Sequence, residues 1–186
     1  MTNMIEREFK AVISEDMLAR LLATLGAYAT PSQTLQVNYY YDTPDFVLHQ
    51  LNSTLRVRQN IRGLKLQYKY DKYNEGTIRT CTEFEIPLDA LPLSITSKEL
   101  PDCDGAAPSD FVLLGSLVTQ RVNYTLDGAI VSLDTNFYLG RLDHEIEVEH
   151  PDNHTIQKIL ALLELSHLNP QGVGKYSRFV NALTES

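Results

Sequence analysis

Cysteine, positive charge and long apolar runs are all scarce in this sequence, and each shortage excludes a class of protein. Cys81 and Cys103 are too few for a disulfide framework and lack the spacing of a metal-binding motif, which favours a reducing compartment. A net charge of −8 argues against nonspecific binding to nucleic acid or to an anionic membrane. The chain has no apolar run long enough to span a bilayer and no apolar signal sequence at its start. These features predict a cytoplasmic protein without a DNA or membrane partner.

The composition that remains is typical of a folded globular protein. Of the 186 residues, 43% are hydrophobic and 22% are charged. A chain of this length can bury a sizeable core within one domain, so a single domain over residues 1–186 is expected. Oligomeric state has no signal in the sequence.

Charged and apolar residues alternate almost strictly near the start of the chain. In a β-strand, Ile5 and Phe9 would lie on one face, and Glu6, Glu8 and Lys10 on the other, because strand side chains alternate between faces. On an open sheet a charged row of this kind faces water. Whether this row faces water or an interior therefore depends on how the other strands are arranged.

Seven further segments have strand character, and these are residues 34–42, 53–59, 64–70, 79–87, 116–125, 129–137 and 141–150. Ser14 begins a helix whose apolar stripe ends at Gly26, a second helix follows Asn153, and a short helix is expected over residues 177–183. Proline and glycine interrupt residues 88–115, which are predicted to cover the fold as an irregular segment. The predicted class is α+β, a closed eight-stranded antiparallel β-barrel with helices packed on the outside.

The charges on these strands are grouped by sign. Arg56 and Arg58 share one strand face, whereas the last strand places Glu145, Glu147 and Glu149 together. Neighbouring like charges repel, and a surface that serves only solubility intersperses signs. The strand faces opposite these charges are apolar enough to pack under helices, so a closed sheet would turn its charges inward. Such a lumen suits a small triphosphate that divalent cations bridge to the carboxylates.

The order of these residues resembles a known family. Glu6-Arg7-Glu8-Phe9-Lys10 matches the ExExK signature of the CYTH superfamily, also called triphosphate tunnel metalloenzymes. The further matches, in chain order, are Tyr41-Asp42-Thr43, Leu55-Arg56-Val57-Arg58, Lys69, Glu83-Phe84-Glu85, Arg121, Asp134, Glu145-Ile146-Glu147 and Lys175. ExExK alone is a weak pattern, but an ordered series that extends over essentially the whole chain is specific.

The resemblance implies a β-tunnel that binds a small triphosphate together with Mg²⁺ or Mn²⁺. The metal ligands that it implies are Glu6, Glu8, Asp134, Glu145 and Glu147. The phosphate contacts that it implies are Lys10, Arg56, Arg58, Lys65, Lys69, Arg121 and Lys175. The residues expected to be catalytic are Glu6, Glu8, Lys10, Arg58 and Glu147.

Several alternatives stay open at this point. Many family members have a lysine where this chain has Thr119, so one phosphate contact is missing or is supplied by Lys65. Glu83 and Glu85 would bind a second metal, orient water or pair with the cations. The expected activity is hydrolysis of inorganic tripolyphosphate, thiamine triphosphate or a nucleoside triphosphate. A class IV-type adenylyl cyclase, which makes cyclic AMP and pyrophosphate from ATP, and a non-catalytic binding module are the alternatives.

Overall fold

The computed structural model describes residues 2–101, 110–168 and 174–185 of the chain. The strands in this part of the chain are β1 (Thr2–Ile13), β2 (Ser32–Asp42), β3 (Thr54–Asn60), β4 (Gly63–Glu75), β5 (Ile78–Leu88), β6 (Ser94–Thr96), β7 (Asp110–Leu126), β8 (Ala129–Tyr138) and β9 (Arg141–Glu149). The α-helices are α1 (Glu15–Tyr28), α2 (Val47–Gln50), α3 (Asn153–Leu162) and α4 (Lys175–Thr184), and Ser97–Glu99 forms a 3₁₀ turn. Within the described ranges, no helix has both the length and the hydropathy needed to cross a bilayer.

The sheet closes on itself. Its strand order is β2-β3-β4-β5-β1-β9-β8-β7-β6, and an additional pairing joins β2 to β7. This antiparallel pairing runs from Ser32 opposite Asn123 to Asp42 opposite Val112, with a register shift between Tyr40 and Tyr41. The predicted eight-stranded barrel is confirmed, and the short strand β6 is an addition beside the start of β7.

Closure turns the charged faces of the strands inward. In the register between neighbouring strands, Lys10 lies opposite Glu147 and Glu8 lies opposite Glu149. The alternate residues of β1 face outward, and Phe9 is 1% exposed there because helices cover it. The apolar core therefore lies between the barrel wall and the surrounding elements, and the charged residues line the interior.

Two outer clusters make up most of this core. Under α1 and α3, Leu21, Leu25, Ile156 and Ile159 pack against the outer faces of β1, β8 and β9. On the other side of the barrel, the predicted covering segment contributes Ile95 and Leu100 to a cluster with Leu55, Val57 and Phe111. Part of that segment, residues 102–109 with Cys103, lies outside the described residues.

Two of the element boundaries that differ from the sequence prediction have a clear structural cause. Helix α1 continues through Gly26 to Tyr28, because the burial of Leu21 and Leu25 offsets the roughly 1 kcal/mol by which glycine disfavours a helix. Strand β7 begins at Asp110 and not near residue 116, because it pairs with β6 and with the end of β2. Neither difference moves a predicted site residue to another face.

Asp42 joins the end of the barrel to two helices. Its buried carboxylate accepts hydrogen bonds from the backbone N–H groups of Thr43 (2.7 Å), Leu48 (2.9 Å) and His49 (3.0 Å). It also accepts a hydrogen bond from the hydroxyl of Tyr176 at the start of α4. Asp42 therefore fixes the position of α4 across one end of the barrel.

Replacement of Asp42 should destabilise the whole fold. In the Asp42→Ala variant, three backbone donors and one hydroxyl lose their buried acceptor, and an unsatisfied buried group costs about 1–3 kcal/mol. We expect the free energy of unfolding, measured by urea denaturation, to fall by about 3 kcal/mol or more. Asp45→Ala, at an exposed position nearby, is the control and should change it by less than about 0.5 kcal/mol. Equal effects of the two substitutions would contradict the role of Asp42.

Candidate functional site

A cavity inside the barrel brings together most of the predicted site residues. The predicted residues that line it are Glu6, Glu8, Lys10, Arg56, Arg58, Lys69, Arg121, Glu147 and Lys175. Its volume of about 180 Å³ is below the roughly 300–1,000 Å³ of pockets that hold drug-sized ligands. The cavity therefore suits a compact, highly charged ligand.

One group of carboxylates in this cavity consists of Glu6, Glu8 and Glu149, and each offers an oxygen within 4.8 Å of the others. Glu6 contacts Lys69 and accepts a hydrogen bond from the thiol of Cys81 (3.2 Å). Burial opposes ionisation of Glu6, but Lys69 and Lys10 outweigh this effect and lower its pKa to about 2. We call this set the Glu149 group.

Two members of the Glu149 group are difficult to ionise in the structure as it stands. Burial raises the pKa of Glu8 against the attraction of Lys10, which contacts it. Burial and the nearby Glu147 raise the pKa of Glu149 to about 7, and within the described residues Glu149 makes no ion pair. A divalent cation bound among these carboxylates would offset the cost of ionising buried groups and would reduce their mutual repulsion.

A second group of carboxylates, Asp134, Glu145 and Glu147, is already neutralised by protein cations. The Lys175 ammonium contacts Glu145 and lies 2.8 Å from Asp134 and 2.6 Å from Glu147. Arg121 donates two hydrogen bonds to Asp134, at 2.7 and 2.6 Å, and contacts Glu147. The ammonium of Lys175 thus occupies the position that a metal ion would need.

Arg178 completes this second group from α4. Its guanidinium donates hydrogen bonds to Glu145 (2.8 Å) and to Asp143 (2.9 Å). The predicted phosphate contact Lys175 and the predicted metal ligands Asp134 and Glu145 are therefore paired with each other or with Arg178. They form an ionic network between α4 and the barrel wall.

The arginines of β3 are held by neutral side chains. The Nε atom of Arg56 donates to Oε1 of Gln67 (2.8 Å), and the Nε atom of Arg58 donates to Oδ1 of Asn38 (2.9 Å). Burial and the neighbouring Arg56 lower the pKa of Arg58 to about 10, so its guanidinium remains charged at neutral pH. Neutral acceptors leave the positive charge of both arginines available for an anionic ligand.

Of the remaining predicted residues, Lys65 and Glu85 lie near the β3–β4 turn, and Glu83 lies beside Lys69 of the main cavity. Lys65 and Glu85 form an ion pair of 3.1 Å and line a second cavity near the β3–β4 turn, which also includes Arg58. Glu83 lies 3.4 Å from Lys69. Among the described carboxylates, Glu83 and Glu85 belong to neither acidic group.

Sequence reasoning missed several residues that line the main cavity. Glu149 follows Glu145 and Glu147 at strand spacing, so the alternation itself contained the signal. Lys72 had no such signal, because the register shift between Tyr70 and Tyr73 interrupts the alternation of β4 and turns its side chain inward. Burial and the nearby Lys69 lower the pKa of Lys72 to about 7.

The closed barrel with a charged lumen defines a tunnel-type fold, and comparison with known proteins gives the family. The model of the CYTH domain matches residues 4–180. The chain therefore belongs to the CYTH domain family, as the ordered motifs indicated.

Three known proteins are similar to this chain in sequence or in fold. A candidate triphosphatase of Bacillus subtilis (strain 168), YjbK, is 27% identical over 157 residues, which cover 83% of this chain and 82% of that protein. A Bacillus halodurans protein described as a candidate adenylate cyclase has a crystal structure that is 25% identical, with a TM-score of 0.74 and coverage of 96% and 99% of the two chains. A Hippeastrum protein, described as an adenylyl cyclase candidate with a dominant triphosphatase activity, is 21% identical, with a TM-score of 0.75 and 95% coverage of each chain.

Removal of the Lys175 charge should destabilise the protein strongly. Lys175→Gln leaves three buried carboxylates short of a cation, and the loss of one partner of a buried ion pair costs about 3–5 kcal/mol. Urea denaturation should therefore show a loss of about 3 kcal/mol or more. In the control Lys158→Gln, which breaks an exposed pair with Asp127, the change should stay below about 1 kcal/mol. A Lys175→Gln variant as stable as this control would exclude the structural network.

Proposed function

We propose that this protein is a divalent-metal-dependent triphosphatase that releases the terminal phosphoryl group of a small triphosphate. The observation that carries the proposal is the cavity itself, which places the Glu149 group and the arginines of β3 in one enclosed space. The triphosphatase descriptions of the Bacillus subtilis and Hippeastrum relatives support the same reaction.

The Glu149 group fits Mg²⁺ or Mn²⁺. These hard cations prefer carboxylate oxygens, and two oxygen ligands of one Mg²⁺ lie about 3–4 Å apart. The three carboxylates already have oxygens within 4.8 Å of one another, so small side-chain movements would bring them to this spacing. Glu6, Glu8 and Glu149 would hold the ion, with Glu147 beside them in the same cavity. A bound divalent cation would neutralise charge on the phosphate oxygens during transfer.

The basic residues bind the phosphate chain in this proposal. Arg56 and Arg58 present guanidinium groups whose planar donors match phosphoryl oxygens in pairs. Lys10 and Lys69, which contact Glu8 and Glu6, lie where the phosphates would meet the carboxylates. The chain thus positions the triphosphate between its carboxylates and its arginines.

A carboxylate of the Glu149 group also handles the proton of the attacking water. Each carboxylate has two oxygens, so one oxygen can bind the cation while the other accepts a hydrogen bond from the water. The same oxygen then accepts the proton of the water. The water oxygen forms the new P–O bond as the bond to the bridging oxygen breaks. From tripolyphosphate, the products are orthophosphate and pyrophosphate.

Inorganic tripolyphosphate is the substrate that the cavity favours among the three candidates. The described lining of the cavity is almost entirely polar or charged, and its two aromatic members, Tyr40 and Tyr176, are buried in the cluster between β2 and α4. The described residues of the cavity therefore offer no exposed apolar surface on which a base or a thiazolium ring would stack. Thiamine triphosphate and ATP are expected to be poorer substrates.

Turnover assays separate the three candidate activities. The purified protein is incubated with tripolyphosphate, thiamine triphosphate or ATP, each with Mg²⁺ or Mn²⁺, and phosphate, pyrophosphate and cyclic AMP are measured. Equal amounts of orthophosphate and pyrophosphate from tripolyphosphate are the expected result. Cyclic AMP with pyrophosphate from ATP would identify a cyclase instead, and tight binding without turnover would identify a binding module.

Loss of one carboxylate from the Glu149 group should weaken the metal dependence. Glu149→Gln removes a candidate ligand while it preserves the shape of the side chain, and we expect a 10–100-fold higher Mn²⁺ concentration for half-maximal activity, by analogy with the roughly 10–100-fold effects of residues that tune metal sites. Glu164→Gln, at a weakly paired surface position, is the matched control. An unchanged Mn²⁺ dependence in Glu149→Gln would count against this site.

Arg58 should matter for its planar donors as well as for its charge. Arg58→Ala is expected to lower kcat/KM for tripolyphosphate about 100-fold or more, the usual order for the loss of a donor to a transition-state oxygen. Arg58→Lys should recover part of this loss, because an ammonium retains the charge but not the paired geometry. Arg20→Ala, which removes an exposed arginine with a 3.5 Å contact to Glu164, serves as the control. Full activity in Arg58→Ala would contradict the proposed binding mode.

A further inference from the structure

The inward face of β2 carries a row of neutral polar side chains, Thr34, Gln36, Asn38 and Tyr40. Each of the four has a buried nitrogen or oxygen atom without a hydrogen-bond partner among the described residues: Thr34 Oγ1, Gln36 Oε1, Asn38 Nδ2 and the Tyr40 hydroxyl. Such atoms are uncommon in folded proteins, because each costs about 1–3 kcal/mol when it stays unpaired. Their occurrence at four successive inward positions of one strand calls for a common explanation.

The position of β2 in the barrel suggests one. Counted in either direction around the closed sheet, β2 lies four strands from β1. The neutral row therefore lies across the lumen from Glu6 and Glu8, with the β3 arginines on one side and Arg121 of β7 on the other. A ligand held between carboxylates and arginines would meet this wall with its remaining face.

Tyr40 is the member of the row that lines the main cavity, and it is held rigidly. The side chain is 0% exposed, and its ring packs on Tyr176 and Phe179 at centroid distances of 5.0 and 5.2 Å. The positive charges of Arg56, Lys175 and Arg58 act electrostatically on its hydroxyl, and none of these groups can accept a hydrogen bond. The natural acceptor for this O–H group is an anionic oxygen inside the cavity.

We propose that Tyr40 contacts the substrate directly, and that its hydroxyl donates a hydrogen bond to a phosphoryl oxygen on the side of the triphosphate that faces away from the Glu149 group. This inference rests on the proposed function. In this arrangement, β2 provides a neutral hydrogen-bond donor on the side of the ligand that contacts neither the Glu149 group nor the β3 arginines. A carboxylate at this position would repel the phosphates.

Asn38, the neighbour of Tyr40 in the row, is hydrogen-bonded to Arg58. The Nε atom of Arg58 can only donate a hydrogen bond, so the atom of Asn38 that it contacts at 2.9 Å must be the carbonyl oxygen. This contact fixes both the amide orientation of Asn38 and the direction of the Arg58 guanidinium. The neutral row therefore orients the guanidinium of Arg58 toward the phosphates and provides the Tyr40 hydroxyl as an uncharged hydrogen-bond donor.

Two conservative substitutions on adjacent residues of β2 test the role of Tyr40. Tyr40→Phe removes a hydroxyl that makes no hydrogen bond within the described structure, so the melting temperature without ligand should stay the same or rise. The KM for tripolyphosphate with Mn²⁺ should rise about tenfold, which corresponds to a lost hydrogen bond of about 1.4 kcal/mol to a charged group. The rise in melting temperature that tripolyphosphate produces should shrink accordingly.

Tyr41→Phe is the matched control with the opposite expectation. Tyr41 points to the outer face of β2, and its hydroxyl donates to the Pro92 carbonyl at 2.7 Å. Loss of this bond should lower the melting temperature and leave the KM for tripolyphosphate unchanged.

The outcomes separate failure of this inference from failure of the proposed function. If the wild-type protein hydrolyses tripolyphosphate and Tyr40→Phe retains the wild-type KM and ligand-induced stabilisation, the Tyr40 contact is wrong and the triphosphatase stands. If Tyr40→Phe lowers the melting temperature as much as Tyr41→Phe, its hydroxyl is structural and the inference is overturned. If no triphosphate is hydrolysed by the wild-type protein or stabilises it, both proposals fail.

Discussion

The pairing of β2 with β7 is the constraint on which the rest of this structure depends. Without it, the sheet would be open, its apolar face would pack under helices and its charged rows would lie in water. With it, those rows share an enclosed lumen in which an unpaired charge is several kcal/mol less stable than in solution. The cations on β1, β4, β7 and α4 meet this need by pairing with carboxylates inside the barrel.

The two acidic groups meet this need in different ways. The first group is fully paired with protein cations: Asp134, Glu145 and Glu147 contact Arg121, Lys175 and Arg178. The ion pairs of Lys175 and Arg178 attach α4 to the barrel. The Glu149 group has fewer cations, and burial raises the pKa values of Glu8 and Glu149. Carboxylates that the protein itself neutralises only partly are the ones that gain most from an added cation, which is why the proposed metal site lies there and not beside Lys175.

Alternation along the strands predicted which charged residues share a strand face, and the number of strands together with the grouping of charges by sign favoured a closed barrel with those faces turned inward. It worked because a period of two fixes the face of a residue as long as the strand is regular. It failed at Lys72, where a register shift in β4 breaks the period, and at Arg178, whose helical position has no strand parity. The sequence also could not show how the carboxylates divide into two groups, because that division depends on which cations α4 brings to β8 and β9.

The most direct test of this account locates the metal itself. Crystals of the protein grown with Mn²⁺ and a non-hydrolysable tripolyphosphate analogue would show the ion by its anomalous scattering. We expect an anomalous peak bound by Glu6, Glu8 and Glu149, with the phosphates against Arg56 and Arg58 and with Lys175 still paired to Asp134. A peak bound by Asp134 and Glu145 with Lys175 displaced, or phosphates bound outside the lumen, would contradict it.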